Sequence, residues 1–98
     1  MTLAQATADY HRVRRVRRGI DLLDEHGPSD WRERIDVESL EMANVFSCVI
    51  GQVFGAYSVA TLSAELGLDD DGTGFGFETD CGESYHELTN AWQSALTD

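Results

Sequence analysis

Residues 42–64, MANVFSCVIGQVFGAYSVATLSA, run for 23 positions without a charge in a chain where 26% of residues are charged. Such a stretch is either the buried centre of a fold or a membrane span, and the choice fixes the class of protein. Its large apolar residues, Met42, Val45, Phe46, Val49, Ile50, Val53, Phe54 and Tyr57, recur at spacings of three and four. That period predicts a helix over about 44–57 with one broad apolar face. Ser47, Cys48, Gly51 and Gly55 fall on the opposite side, small enough for a second helix to approach closely or for a loop to lie over them.

The length suffices for a bilayer, and Gly51 with Gly55 makes a GxxxG spacing. Against a span, Asn44, Gln52 and several hydroxyls dilute the apolarity, and Ser58 reads as an N-cap that splits the run in two. Glu38, Glu41, Glu65 and Asp69 also flank it with acid where a span would carry Lys or Arg. The segment reads as the middle of a helical bundle. Residues 1–10 lack a basic start followed by an apolar run, so the expected location is cytoplasmic.

Working outward, Leu3, Ala6, Tyr10, Val13, Val16, Ile20 and Leu23 alternate by three and four, predicting a long first helix over 2–26. Thr2 is its candidate N-cap and Gly27-Pro28 its stop. Ser29 or Asp30 can cap a short turn that brings Trp31 and Ile35 to one end of the core. Ser58 starts a helix that Gly67 closes, and the Ser84-x-x-Glu87 capping box starts a last helix with Tyr85, Leu88, Trp92 and Leu96 on one stripe. Residues 68–83, with six acids and four glycines, have no helical period and read as a loop with Phe75 and Phe77 anchored in the core. A short extended piece at 75–78 is the only regular structure expected there. The expected architecture is one all-α domain spanning 1–98, a small compact bundle of about four helices with one acidic, Gly-rich loop.

Charge is segregated. Residues 1–18 hold Arg12, Arg14, Arg15, Arg17 and Arg18 against Asp9, a charge of +4, and residues 19–98 carry −15, for −11 in total and no lysine. So negative a surface repels phosphate, which disfavours general affinity for nucleic acid or anionic membranes and suits a basic partner. Most of the arginines are expected on a solvated face away from the apolar stripe, with Arg17 at its edge where Asp21 can meet it one turn on.

Asp69, Asp71, Thr73, Gly74, Phe75 and Asp80 fit positions 1, 3, 5, 6, 7 and 12 of an EF-hand loop, but Gly76 replaces the apolar residue at position 8 and Asp80 the bidentate Glu. A solvated acidic loop is the better reading. His11, His26 and His86 show no nucleophile signature with Cys48, Cys81 or a serine, and two isolated cysteines make neither a disulfide framework nor a zinc site. No catalytic residue, metal or cofactor is expected.

Leu22-Leu23-Asp24-Glu25, Pro28, Trp31, Ile35-Asp36, Leu40-Glu41-Met42, the block from Cys48 to Gly55 (CVIGQVFG), Leu66-Gly67-Leu68, Gly76-Phe77 and Tyr85-x-x-Leu88-Thr89-x-x-Trp92 occur in this order. In these residues the chain resembles a family of small uncharacterised proteins of actinobacteria and their phages, of mycobacteriophage type. The resemblance covers about residues 19–98 and leaves the Arg-rich start outside. It implies a soluble, compact accessory protein and carries no activity or catalytic residue with it. The expected function is binding of a protein partner, host-encoded if the chain is a phage protein, with Arg12, Arg14, Arg15, Arg18, Asp69, Asp70 and Asp71 as contact residues. The alternatives are a DNA mimic that occupies a basic nucleic-acid site, and nucleic-acid binding through the first helix. Self-association of the basic helix with an acidic face of another copy is also open.

Overall fold

The structure is a computed structural model that describes the backbone of residues 3–97 and the side chains from Asp9 to Thr97. Among the described residues four helices, α1 (Leu3–His26), α2 (Val49–Phe54), α3 (Val59–Leu66) and α4 (Tyr85–Thr97), are joined by loops holding two 3-10 turns, Val37–Ser39 and Thr73–Phe75. The fold is all-α, as the sequence period requires, and no strand occurs among the described residues; of the piece expected to extend at 75–78, Phe75 ends the second 3-10 turn and 76–78 form a turn and bend. The candidate cap Thr2 lies outside the described residues.

Two starts form as their residues dictate. Ser58 Oγ accepts the Thr61 N–H at 3.0 Å, and Gly67 ends α3 by returning its N–H to Ser63 O at 3.1 Å. At α4, Ser84 Oγ accepts the Glu87 N–H at 3.1 Å and donates to the Glu87 carboxylate at 3.0 Å.

The neutral middle folds differently from its period. α2 has six residues, where a helix over 44–57 was expected. Asn44 Oδ1 accepts the N–H groups of Phe46 and Ser47 at 2.8 and 3.1 Å, as an N-cap would, but the turn it opens stops before Cys48. Cys48, in extended backbone, then caps α2, its Sγ accepting the Gly51 N–H at 3.3 Å. The turn lies directly on Gly51, where a Cβ would stand 2.3 Å from Val45 O. Gly51 of the small face thus lies under the chain's own preceding turn, which Tyr57 N–H clamps by donating to Val45 O at 2.8 Å, while Gly55 stays exposed. Val45 and Phe46 leave the core as a result and are exposed. No helix among the described residues is long and apolar enough to cross a membrane.

Of the remaining apolar residues of the segment, Phe54 and Tyr57 pack half-buried against the core, and Met42, Val49, Ile50 and Val53 join Val16, Ile20 and Leu23 of α1, Trp31 and Ile35, Leu62 and Leu66 of α3, Phe77, and Leu88 and Trp92 of α4 in one buried cluster. Trp31 and Ile35 are buried in this cluster, with Trp31 Nε1 donating to Asp24 at 3.0 Å. Arg34 donates to Val53 O at 3.0 Å and so satisfies a carbonyl at the end of α2. Gln52, the polar residue at the segment's centre, is spent on backbone: Oε1 accepts Asp36 N–H, and Nε2 donates to Ser47 O.

Gly51→Ala gains at most about 1 kcal/mol of helix propensity. The forced displacement of the Val45 carbonyl costs about 1–3 kcal/mol and wins. Urea unfolding is therefore expected to show a lowered midpoint for Gly51→Ala, and a midpoint within about 0.5 kcal/mol of the parent for Gly74→Ala, whose added methyl meets nothing within 4 Å.

Candidate binding surfaces on the first helix

The inward face of α1 is set by positions 12, 15, 16, 19, 20 and 23, which share one side of a 3.6-residue helix. Two of these are arginines. Arg12 and Arg15 are only 8% and 9% exposed, so they do not lie on the solvated face that the apolar stripe implied. The stripe itself turns outward toward the helix start, leaving Tyr10 and Val13 59% and 61% exposed.

Both buried guanidiniums converge on Glu83, whose side chain is 6% exposed. Arg12 Nε donates to Glu83 Oε2 at 2.7 Å, and Arg15 donates to both Glu83 oxygens at 3.0 Å. Arg12 continues to Asp9 at 2.7 Å and to Glu87 on α4. Arg15 donates to two backbone carbonyls of the acidic loop, Thr73 O and Glu78 O, each at 2.8 Å. The loop is held from other sides too. Trp92 Nε1 donates to Gly76 O at 2.6 Å and stacks on Phe77, with ring centroids 5.9 Å apart, and Tyr57 donates its hydroxyl to Asp71 O at 2.6 Å. Burial and the neighbouring carboxylates push the Tyr57 hydroxyl well above its ordinary value, so it remains a donor. At Gly19 the loop comes so near that a Cβ would lie 2.2 Å from Phe75 O.

Arg12 and Arg15, expected as partner contacts, are thus internal struts, and Glu83 is a residue that sequence reasoning missed. Arg14 and Arg18 stay exposed. Asp69, Asp70 and Asp71 are exposed as well, yet two of the carboxylates turn to their own backbone: Asp70 accepts the Gly72 N–H at 2.8 Å, and Asp71 the Thr73 N–H at 3.1 Å and hydroxyl at 2.7 Å. The Thr73 hydroxyl and N–H hold the Asp71 carboxyl below its usual range. None of the three acids pairs with an arginine among the described residues. Nor do three of His, Cys, Asp and Glu gather in a cation-binding arrangement there. Cys48 is buried with its thiol pushed up by desolvation, whereas Cys81 is exposed. His86 shares a hydrogen bond with the Asn90 amide, and His26 sits 3.7 Å from Glu25.

Two depressions flank the buried strip of α1. On one side a groove of about 600 Å³ runs between α1 and α4, with Val13, Val16, Ile20, Ala91 and Ala95 among its walls and Asp9, Glu87 and Arg17 among its polar lining. Arg17 meets Asp21 at 3.7 Å, the expected one-turn pair, with both side chains in solvent. On the other side His11, Arg14, Arg15 and Arg18 line a depression of about 460 Å³ with Gly74 and Asp80. No family model, curated protein or solved structure matches this chain.

Burial alone pushes the Glu83 carboxyl up, but the hydrogen bonds from Arg15 and Arg12, with the Asp80 N–H, overcome it and hold the group below its ordinary value of 4.5. The folded state then binds this proton more weakly than the unfolded state. The resulting stability is complete above pH 4.5 and is lost as pH falls through the lower folded value. Glu83→Ala, which leaves two buried guanidiniums short of a partner, is expected to cost about 3–5 kcal/mol at pH 7. Glu87→Gln, at a half-exposed pair, should cost about 1 kcal/mol or less. Urea titrations from pH 7 to pH 3 should show a flatter acid limb for Glu83→Gln than for the parent.

Proposed function

We propose that the chain is a small acidic accessory protein that acts by binding another protein, and that the α1–α4 groove receives an apolar helix of a basic partner. The observation that carries this reading is the groove itself. Its walls mix apolar residues, Val13, Ala91 and Ala95 over the buried Val16 and Ile20, with polar ones, Val13 stands 61% exposed, and Asp9 and Glu87, both facing Arg12, lie in its lining. Amphipathic helices dock into grooves of this kind through apolar anchors, while charge complementarity steers the encounter. A molecule of charge −11 draws a basic partner and repels acidic ones. On the resemblance to phage and actinobacterial accessory proteins, the partner is a host-encoded protein.

Duplex binding through the first helix is the weaker reading, because Arg12 and Arg15 already face carboxylates and Arg17 faces Asp21. Only Arg14 and Arg18 are left to displace counterions from a duplex. Mimicry of DNA differs from the leading reading in the class of the partner, so the same experiment separates them.

Affinity capture at moderate salt is expected to recover one basic protein in stoichiometric amount with the parent chain, and at least tenfold less with Val13→Glu. Val13 is exposed, so this substitution leaves the core intact. A captured protein that binds nucleic acid, and is released by competing duplex, would favour mimicry. No partner at any salt, or equal capture by Val13→Glu, removes the groove as a docking site.

A further inference from the structure

Seven arginines face eighteen acids in this chain. Five of them, Arg12, Arg15, Arg17, Arg32 and Arg34, lie within 4 Å of a carboxylate. Arg14 and Arg18 have no such partner among the described residues, although acids outnumber cations in the chain as a whole. They are adjacent, one turn apart on α1, and both line the depression on the flank away from the groove.

Neither guanidinium is loose. The Arg18 guanidinium carbon sits 5.3 Å from the centroid of Phe75, and that of Arg14 5.7 Å from the centroid of Tyr10. An aromatic face satisfies the flat side of a guanidinium and leaves its N–H edge unused. His11, one turn before Arg14, lines the same depression and has its ring edge-on to Tyr10 at 5.8 Å. Arg15 forms the floor, its charge already opposed by Glu83, and Gly74 leaves the rim open, with nothing within 4 Å of where a Cβ would stand. Asp80 is the one acid in the lining, and its carboxylate accepts the Cys81 N–H at 2.8 Å.

We propose that this shelf of His11, Arg14 and Arg18 is a binding site for a phosphoryl group, free or carried on a small molecule. The chemistry selects that class. Two stacked guanidiniums present forks of N–H donors, which match an oxyanion with three or more oxygens better than a carboxylate with two. With Arg15 opposed by Glu83, Arg14 and Arg18 stand against the single carboxylate of Asp80, so the shelf keeps a net positive charge for an anion. The volume of about 460 Å³ exceeds what a bare phosphate fills, so the site has room for the body of a monoester. The molecule's −11 charge opposes any anion, but charges beyond about 8 Å are largely screened at physiological salt, and the shelf's own cations dominate at contact. Tight binding is not expected of so open a site. The inference is independent of the groove, which lies on the other flank of α1.

The test is a titration of the isotope-labelled protein with inorganic phosphate and with phenyl phosphate at constant ionic strength, following the Arg Nε–H and Gly74 amide resonances. Saturable shifts of Arg14, Arg18 and Gly74 are expected, with half-saturation at roughly 1–10 mM. Affinity should fall at least tenfold in Arg14→Ala/Arg18→Ala and be retained in Arg17→Ala. Both variants alter exposed side chains and should unfold at the parent's urea midpoint. Shifts reproduced by sodium chloride at equal ionic strength, or binding retained in the double variant, would overturn the proposal. Shifts that follow protein concentration and not phosphate would assign the shelf to a second copy of the chain, and would overturn it equally.

Discussion

Glu83, held between Arg12 and Arg15 and nearly out of solvent, is the interaction on which the rest of the molecule depends. Residues 68–83 have neither a helical period nor enough apolar surface to pack by themselves. The ion lock gives this acidic segment a place. Arg15 grips the loop by two carbonyls, Arg12 reaches to the first turn of α4, and Glu83 fastens both to α1. Removing two guanidiniums and a carboxylate from water is costly, and a buried pair lacking its full set of partners would destabilise the fold. Here the set is filled: no buried side-chain nitrogen or oxygen among the described residues lacks a hydrogen bond.

With the loop in place, the charge segregation of the chain acquires a meaning different from its first impression. The basic start and acidic remainder meet inside the molecule. Two of the five N-terminal arginines are consumed there, a third pairs with Asp21, and the surface is left with one small cationic shelf on a strongly acidic body. The neutral middle has a complementary role. Most of its apolar residues fill the centre, while Gln52 and Tyr57 tie it to the loops around it. The turn of Val45 and Phe46 presents apolar groups outward only because Gly51 lets it close over α2.

How much of this was legible follows from the kind of signal each residue gives. The caps at Ser58 and Ser84, the stop at Gly67, the buried Trp31 and Trp92 and the anchored Phe77 each rest on local chemistry or on simple burial, and the sequence displays them. Helix period misled in two places. In α1, Tyr10 and Val13 continue the apolar stripe toward the start of the chain, whereas the inward face continues through Arg12 and Arg15. The spacing that joins those arginines to Val16, Gly19 and Leu23 was present in the sequence, but their partner Glu83 lies about seventy residues away and nothing local pairs them. In the neutral middle, Asn44 and Cys48 diverted the backbone into a turn and a cap, and an apolar period of three and four does not reveal side chains that capture backbone donors. The groove escaped notice because its far wall is Ala91 and Ala95, residues too small to stand out on an amphipathic helix.

The central claim is that Glu83 fixes Arg12 and Arg15 inside the fold, whereas Arg17, close by in sequence, lies in solvent. Hydrogen exchange and relaxation of the arginine Nε–H groups measure this directly by nuclear magnetic resonance. The account predicts slow exchange and rigid side chains for Arg12 and Arg15, with fast exchange and large-amplitude motion for Arg17. Uniform, fast exchange across all five N-terminal arginines would contradict it.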